Sequence, residues 1–170
     1  MSANLPPLAE RVRPQSLSDF TGQSDIIDPG SLLENAISKN NLFSIILWGP
    51  PGSGKTTLAK IMASACNYMF FELSAVSSGV KDLRKVLSVG QENSLLNQQT
   101  LLFIDEIHRF SKSQQDALLH GVEQGDVILI GATTENPSFE VISPLLSRCK
   151  VLKMESHSEK ELESILLSAV

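Results

Sequence analysis

The chain has 170 residues, of which 42% are hydrophobic and 19% charged, a composition that fits one folded domain and argues against a disordered chain. Its 14 basic and 19 acidic residues give a net charge of −5, so bulk charge argues against free-standing nucleic-acid binding, and any DNA contact needs a local basic patch. The sequence contains neither an apolar run near the ~20 residues of a membrane span nor a signal-type N-terminus, so we expect a cytoplasmic protein without a membrane partner.

The pattern along the chain predicts a doubly wound α/β fold. Residues 1–25 are rich in proline and polar residues and predict an extended arm with short turns. Ser31 is the candidate N-cap of a helix over about 31–40. Apolar runs then alternate with helical patterns, as in a parallel sheet covered on both faces. The predicted strands are 44–48, 69–73, 101–105, 127–132 and 151–154, and the predicted helices are 55–65, 80–89, 113–122, 144–146 and 159–168.

A phosphate-binding loop is predicted between the first strand and the following helix. GPPGSGKT at 49–56 matches G-x-x-x-x-G-K-[ST], and the strand before it and the helix after it argue against a chance match. Backbone N–H groups of such a loop and the helix N-terminus attract phosphate oxygens. Lys55 can reach the β- and γ-phosphates, the Thr56 hydroxyl can ligate Mg²⁺, and Thr57 is expected near the α-phosphate. The candidate nucleotide-binding residues of the loop are Gly49, Pro50, Pro51, Gly52, Ser53, Gly54, Lys55, Thr56 and Thr57.

Two carboxylates follow the third apolar run, in LLFIDE at 101–106. Ligands of open α/β sheets bind at the carboxyl ends of the strands, so Asp105 is expected beside the loop, where it can hold Mg²⁺ through water. Glu106 can polarise a water for attack on the γ-phosphate. The alternative is a pair of solvated carboxylates that open a turn. The N-K-x-D motif of GTPases is absent, and small-molecule kinases usually lack such an acid pair, so the pair indicates hydrolysis.

Two further candidates stay open on the residues alone. VILIGATTEN at 127–136 ends in Thr133 and Thr134, whose hydroxyls either bridge the attacking water to Glu106 or make ordinary loop hydrogen bonds. Arg148 follows a helix start at Ser143-Pro144, and a lone arginine there is either functional or part of a surface ion pair.

Together these motifs resemble a known family. The order of GPPGSGKT, LFIDE, IGATT and LLSRC resembles AAA+ ATPases of the clamp-loader branch. DEIHRFSKSQQDALL and IGATTENPSFEVISPLLSRC are similar to the family of replication-associated recombination protein A and the Werner helicase-interacting protein, and the resemblance covers about residues 7–155. The absence of a four-cysteine zinc insertion counts against a bacterial clamp-loader motor subunit. A Holliday-junction motor shares DEIHR but not ENPSFE.

The resemblance implies a three-layer AAA+ sandwich around a five-stranded parallel sheet, with most of the helical lid domain missing. Its divisions would be an arm at 1–25 that contributes to the nucleotide site, an ATPase core at 26–156 and the truncated start of the lid at 157–170. Lys55, Thr56, Asp105 and Glu106 would carry the ATP and Mg²⁺ site, and Thr134 would be the sensor-1 residue. Arg148 would act as an arginine finger on the ATP of a neighbouring subunit, in a homo-oligomer. Arg13, Pro14 and Ile27 lie where the family packs around adenine, although plain packing of the arm is equally open.

The function that the resemblance implies is a DNA-dependent ATPase at stalled replication forks, acting on single-stranded, gapped or forked DNA with replication and repair proteins as partners. Such a protein would lie at the bacterial nucleoid, or in the nucleus of a eukaryote. Lys81, Arg84 and Lys85 share one helix face that would track phosphates, or that is merely solvated. The alternative function is a nucleotide-gated scaffold, or a subunit of a clamp loader or Holliday-junction motor, with little turnover alone.

Overall fold

Five parallel strands form the centre of the computed structural model, which describes residues 5–169. The strands are β1 (Ile45–Trp48), β2 (Met69–Ser74), β3 (Thr100–Asp105), β4 (Ile128–Thr133) and β5 (Lys150–Lys153). They are ordered β2-β3-β4-β1-β5, and every pair of neighbours is parallel. The five-stranded parallel sheet predicted from the sequence is therefore confirmed.

Helices connect these strands and extend to both ends of the described chain. They are α1 (Leu8–Arg11), α2 (Ser24–Ile27), α3 (Leu32–Ser38), α4 (Lys55–Ala65), α5 (Val80–Leu95), α6 (Lys112–Glu123), α7 (Pro137–Glu140), α8 (Ser143–Ser147) and α9 (Glu159–Ser168). Short 3₁₀ turns occupy Leu17–Asp19 and Ile107–Arg109. Ser31 is the N-cap of α3, since its hydroxyl accepts a hydrogen bond from the Glu34 N–H at 3.2 Å.

Two segments differ from the sequence prediction. The arm is partly helical, because α1 and the first 3₁₀ turn lie within it. Helix α5 runs to Leu95 and not to 89, since Gly90 does not end it. A Cβ at Gly90 would lie 2.6 Å from the Asp126 carbonyl oxygen, so this glycine permits close packing inside the helix.

The two faces of the sheet are covered by separate hydrophobic clusters, which makes three layers. Ile45 and Leu47 pack with α3, α4 and Phe20 of the arm on one face. Ile46, between them, packs on the other face with residues of α5, α6 and α8. Because both faces are covered, the central strands are apolar at successive positions, and each buried Ile or Leu contributes about 1.5–3 kcal/mol. The predicted three-layer sandwich is confirmed, and among the described residues no helical domain follows α9.

The proposed divisions at 25 and 156 stay predictions. Residues 1–4 of the arm and Val170 of the lid segment lie outside the described residues. No helix between residues 5 and 169 combines the length and the apolar character that crossing a bilayer requires.

Candidate nucleotide site

The carboxyl ends of β1, β3 and β4 meet at one edge of the sheet, where open α/β sheets bind ligands. The Gly49 N–H donates to the Thr133 carbonyl at 3.1 Å, which ties the loop after β1 to the end of β4. A cavity of about 400 Å³ opens at this edge. It is lined by Arg13, Pro51, Gly52, Gly54, Lys55, Thr56, Thr57, Asp105, Glu106, Thr133 and Thr134. The sheet thus brings together the residues that the sequence singles out in three separate motifs.

Lys55 is held across the phosphate loop. Its Nζ donates to the carbonyl oxygens of Gly49 at 2.9 Å and Pro50 at 2.8 Å, and lies 3.3 Å from the Ser53 hydroxyl. Burial lowers the pKa of Lys55 from its ordinary value, while Asp105 and Glu106 oppose that shift by charge attraction. Gly49, Pro50 and Ser53 shape the loop and do not line the cavity, whereas Lys55 presents a cation there.

The phosphate loop is packed against the arm and against Met154, which follows β5. Gly54 has a φ of +95°, and a Cβ on it would lie 2.6 Å from Cζ of Phe20 in the arm. On the other side, a Cβ on Gly49 would lie 2.7 Å from the Met154 carbonyl oxygen. Larger residues at both positions would push the loop away from its neighbours, so the conformation of the loop depends on these two glycines.

The acid pair spans the end of β3. Asp105 is the last residue of the strand, and Glu106 adopts a left-handed backbone conformation with a φ of +53°. Non-glycine residues are strained there, and such strain is concentrated at functional sites. Oε2 of Glu106 lies 3.9 Å from Nε of Arg109 in a solvent-exposed ion pair. Both carboxylates line the cavity that Lys55 also lines.

The two threonines at the end of β4 have different surroundings. Thr133 is buried, and its hydroxyl lies 2.9 Å from Nδ1 of His108 and accepts a hydrogen bond from the Glu135 N–H at 3.0 Å. Thr134 is exposed and also lines the cavity. Thr134 therefore has the freer hydroxyl, and the contact between His108 and Thr133 was not foreseen from the sequence.

A second cavity, of about 430 Å³, lies between the arm and the phosphate loop. It is lined by Val12, Arg13, Pro14, Gln15, Asp19, Phe20, Thr21, Gly52, Gly54, Thr57, His157, Ile165 and Ser168. Both cavities are lined by Arg13, Gly52, Gly54 and Thr57, so they adjoin. Arg13 and Pro14 line this cavity, and their contact with adenine stays a prediction.

Ile27 does not line this second cavity, unlike Arg13 and Pro14. It packs against the hydrophobic cluster beneath the arm, because the short helix α2 turns it toward α3 and the core. Phe20, His157 and Ile165 line the cavity without any local motif that could have identified them.

The remaining candidates lie away from both cavities. Arg148 lies just before β5. The N–H of Lys150, the first residue of β5, donates to the carbonyl of Ser44, which precedes β1. Arg148 therefore lies where the strands begin, at the opposite edge of the sheet from the phosphate loop. Its Nη2 lies 3.2 Å from Oε1 of Glu123. Lys81, Arg84 and Lys85 are exposed on α5, while Leu83 and Val86 of the same helix are buried.

The oxygen atoms at the cavity fit Mg²⁺. Thr56 and Asp105, a hydroxyl and a carboxylate, both line it, and these are hard ligands that Mg²⁺ prefers. The described residues contain no cluster of three or more His, Cys, Asp or Glu side chains that could hold a metal alone. This donor set suits an ion that a phosphate substrate helps to bind.

Comparisons with known proteins match most of the chain. Residues 45–156 match the model of the ATPase family associated with various cellular activities (AAA). The chain is 49% identical over 164 residues to replication-associated recombination protein A of Haemophilus influenzae, covering 96% of this chain and 37% of that protein. It is 51% identical over 160 residues to ATPase WRNIP1 of Dictyostelium discoideum, covering 94% of this chain and 18% of that protein.

Solved structures agree with these relatives. The RuvB Holliday junction branch migration motor of Thermotoga maritima superposes with a TM-score of 0.75 at 36% identity, covering 92% of this chain and 53% of that one. The chain thus spans little more than a third of the first curated relative and about half of this structural neighbour.

Proposed function

The chain belongs to the AAA family of ATPases, and from that premise we propose that it binds ATP with Mg²⁺ and hydrolyses the γ-phosphate in the cavity at the strand ends. One observation carries this proposal: Lys55, Thr56, Asp105 and Glu106 come from different motifs and line the same cavity. A cation, two ligands for a hard metal ion and a second carboxylate are the groups that phosphoryl transfer to water requires.

Each group in the cavity has a role in this proposal. The loop from Gly49 to Ser53 shapes the cradle, its backbone N–H groups and the start of α4 attract the phosphates, and Lys55 neutralises negative charge. Thr56 and Asp105 would hold Mg²⁺, which when bound neutralises charge on the phosphate oxygens. Glu106 orients the attacking water and accepts its proton. Thr134 would hold the water or the γ-phosphate from the end of β4.

The arm cavity is proposed to hold the nucleoside. Arg13 and Pro14 line it, and it adjoins the phosphate cavity at Gly52, Gly54 and Thr57, as a nucleoside joined to a triphosphate requires. Ile27 supports the arm from beneath and would not touch the base.

Arg148 is proposed to complete the site of a neighbouring copy of the chain. It lies at the edge of the sheet opposite the chain's own phosphate loop, and β1 with its four residues spans about 13 Å between the two edges. An arginine placed there stabilises transition-state charge when a second subunit brings its loop to this edge. The functional assembly is therefore a homo-oligomer.

We further propose that the whole protein acts on DNA, at stalled forks with single-stranded, gapped or forked structure and together with replication and repair proteins. The proposal is supported by the names of the relatives, a replication-associated recombination protein and a branch migration motor. Lys81, Arg84 and Lys85 on the exposed side of α5 would contact the phosphates. Such a protein works at the nucleoid in the bacterial cytoplasm, or in the nucleus of a eukaryote.

Phosphate release from ATP, measured with and without single-stranded, gapped or forked DNA, tests this function. A DNA-dependent motor releases phosphate faster when DNA is added. The second candidate is a nucleotide-gated scaffold, which is compatible with the exposed ion pair between Glu106 and Arg109. ATP binding with slow turnover that DNA does not change would favour the scaffold, and absence of ATP binding would refute both.

A further inference from the structure

His157 places an imidazole ring at the nucleoside cavity that the function has not yet used. The residue follows β5 and lines the arm cavity, and its side chain is only 11% exposed. Its Nδ1 is covered, and within residues 5–169 it has no hydrogen-bond partner.

Glu161 controls which nitrogen of this ring carries the proton. Its Oε2 lies 3.6 Å from Nδ1 of His157, just outside hydrogen-bonding distance. The carboxylate is fixed there, because the same Oε2 accepts a hydrogen bond from the Ser158 N–H at 2.7 Å. A fixed carboxylate beside Nδ1 favours the proton on that nitrogen, which leaves a lone pair on Nε2.

Nδ1 of His157 is covered, so the part of the imidazole ring that lines the cavity is the edge that carries Nε2. Three other polar side chains of this wall already have partners: Arg13 pairs with Glu10 at 3.0 Å, Asp19 accepts from Ser16 at 3.0 Å, and Gln15 donates to the Arg13 carbonyl at 3.1 Å. Among the ring and amide side chains of the wall, His157 is therefore the one whose accepting atom is left for a ligand.

Resting on the proposed binding of a nucleoside triphosphate, we infer that His157 selects the base: Nε2 accepts a hydrogen bond from the exocyclic 6-amino group of adenine. Guanine carries an oxygen at the same ring position, so two acceptors would face each other and repel. A binding site discriminates strongly against a ligand that leaves one of the site's buried polar atoms without a hydrogen bond.

The test compares nucleotides that differ at ring position 6. The affinities of the chain for ATP, purine riboside triphosphate, which lacks the amino group, and GTP are measured by calorimetric titration with Mg²⁺. We expect loss of the amino group to weaken binding about tenfold, the value of one good hydrogen bond, and GTP to bind more weakly still. This comparison uses the unsubstituted protein and does not depend on the folding of any variant.

Two substitutions assign the effect to the ring. His157→Phe keeps a flat ring without nitrogen, so ATP and purine riboside triphosphate should bind with nearly equal affinity. His120→Phe is the matched control, because His120 is exposed on α6 and lines neither nucleotide cavity. The tenfold ratio should persist in the control.

The possible failures are distinguishable. If the unsubstituted chain binds ATP and purine riboside triphosphate equally well, His157 does not read the amino group, while the proposed ATP site stands. If the tenfold ratio survives in folded His157→Phe, another residue reads the base. If no nucleotide binds at all, the proposed function and the inference fall together.

Discussion

Glu106 and Asp105 are neighbours in the chain and nevertheless have different tasks in the proposed mechanism. The strand ends at Asp105, and the left-handed conformation of Glu106, with its φ of +53°, turns the chain sharply between them. Residues with strained backbones persist where the surrounding fold holds them, here through the 2.8 Å bond from the Arg109 N–H to the Glu106 carbonyl. The result is one carboxylate for the metal ion and another for the water.

Replacing Glu106 with Gln should separate binding from turnover. The amide keeps the size of the side chain but cannot accept the proton of the attacking water, so ATP affinity should stay within about twofold while phosphate release falls about 10²- to 10⁴-fold. Titration with ATP and a phosphate-release assay measure the two quantities. Glu135→Gln is the control, since Glu135 does not line the cavity. Wild-type turnover in Glu106→Gln would contradict the role of Glu106.

The adjacent threonines show where local sequence reasoning stops. Both follow an apolar strand, and the sequence left open which of their hydroxyls is functional. Both line the cavity, but Thr133, the last residue of β4, is buried and contacts His108, 25 positions earlier, while Thr134 is exposed. The motif predicted the site, but the partner of Thr133 depends on a contact between distant segments.

At the scale of elements, the strands and the phosphate loop were predictable because their signals are local. Runs that are apolar at successive positions, followed by glycine or acidic residues, mark buried parallel strands and their carboxyl ends. The predicted helix over 80–89 is shorter than α5, which continues through Gly90 to Leu95, and this glycine provides close contact with Asp126. The presence of His157 in the arm cavity could not be predicted, since this residue is more than 100 positions from the loop that it faces.

Gln115 is a buried side chain on α6 that connects three elements. Its amide donates to the carbonyls of Phe110 at 3.2 Å and Glu140 at 3.1 Å, and its Oε1 accepts from the Ile142 N–H at 2.8 Å. Gln115→Leu leaves these backbone groups unpaired, so the free energy of unfolding should fall by about 2–4 kcal/mol. Urea unfolding measures it. Gln91→Leu, at an exposed position of α5, should change it by less than about 0.5 kcal/mol, and equal effects would contradict this role of Gln115.

The exposed basic residues of α5 give a prediction about salt. If Lys81, Arg84 and Lys85 contact DNA phosphates, changing all three to Ala should weaken DNA binding and reduce the slope of log K against log salt by about 2 to 3. Fluorescence anisotropy at several salt concentrations measures this. Changing Arg11, Lys39 and Lys160, which are exposed elsewhere, removes the same charge and should leave the slope unchanged. An unchanged slope in the α5 variant would remove the proposed DNA contact.

At the scale of the whole molecule, the similarity to replication-associated recombination protein A that the sequence predicts is confirmed by its relatives. The cavity that Lys55 lines lies at one edge of the sheet and Arg148 at the other. In the proposed function Arg148 completes the site of a neighbouring copy, so hydrolysis is expected to require assembly.

Mixing two inactive variants tests that arrangement. Arg148→Ala keeps an intact phosphate loop, and Lys55→Ala keeps an intact Arg148, so each alone should be inactive. In a 1:1 mixed assembly about a quarter of the sites combine an intact loop with an intact neighbouring arginine, and that share of ATP turnover should return. Turnover that does not rise above the sum of the separate variants would contradict action between subunits.

The measurement that tests the account most directly is the affinity of the chain for ATP and Mg²⁺ before and after Lys55→Ala. Lys55 is the cation held across the phosphate loop, so its removal should weaken ATP binding by at least about 100-fold. Lys60→Ala on the same helix should bind like the unsubstituted chain, since Lys60 lines neither cavity. Equal ATP affinity in Lys55→Ala and Lys60→Ala would show that the triphosphate is not bound where the three strand ends meet.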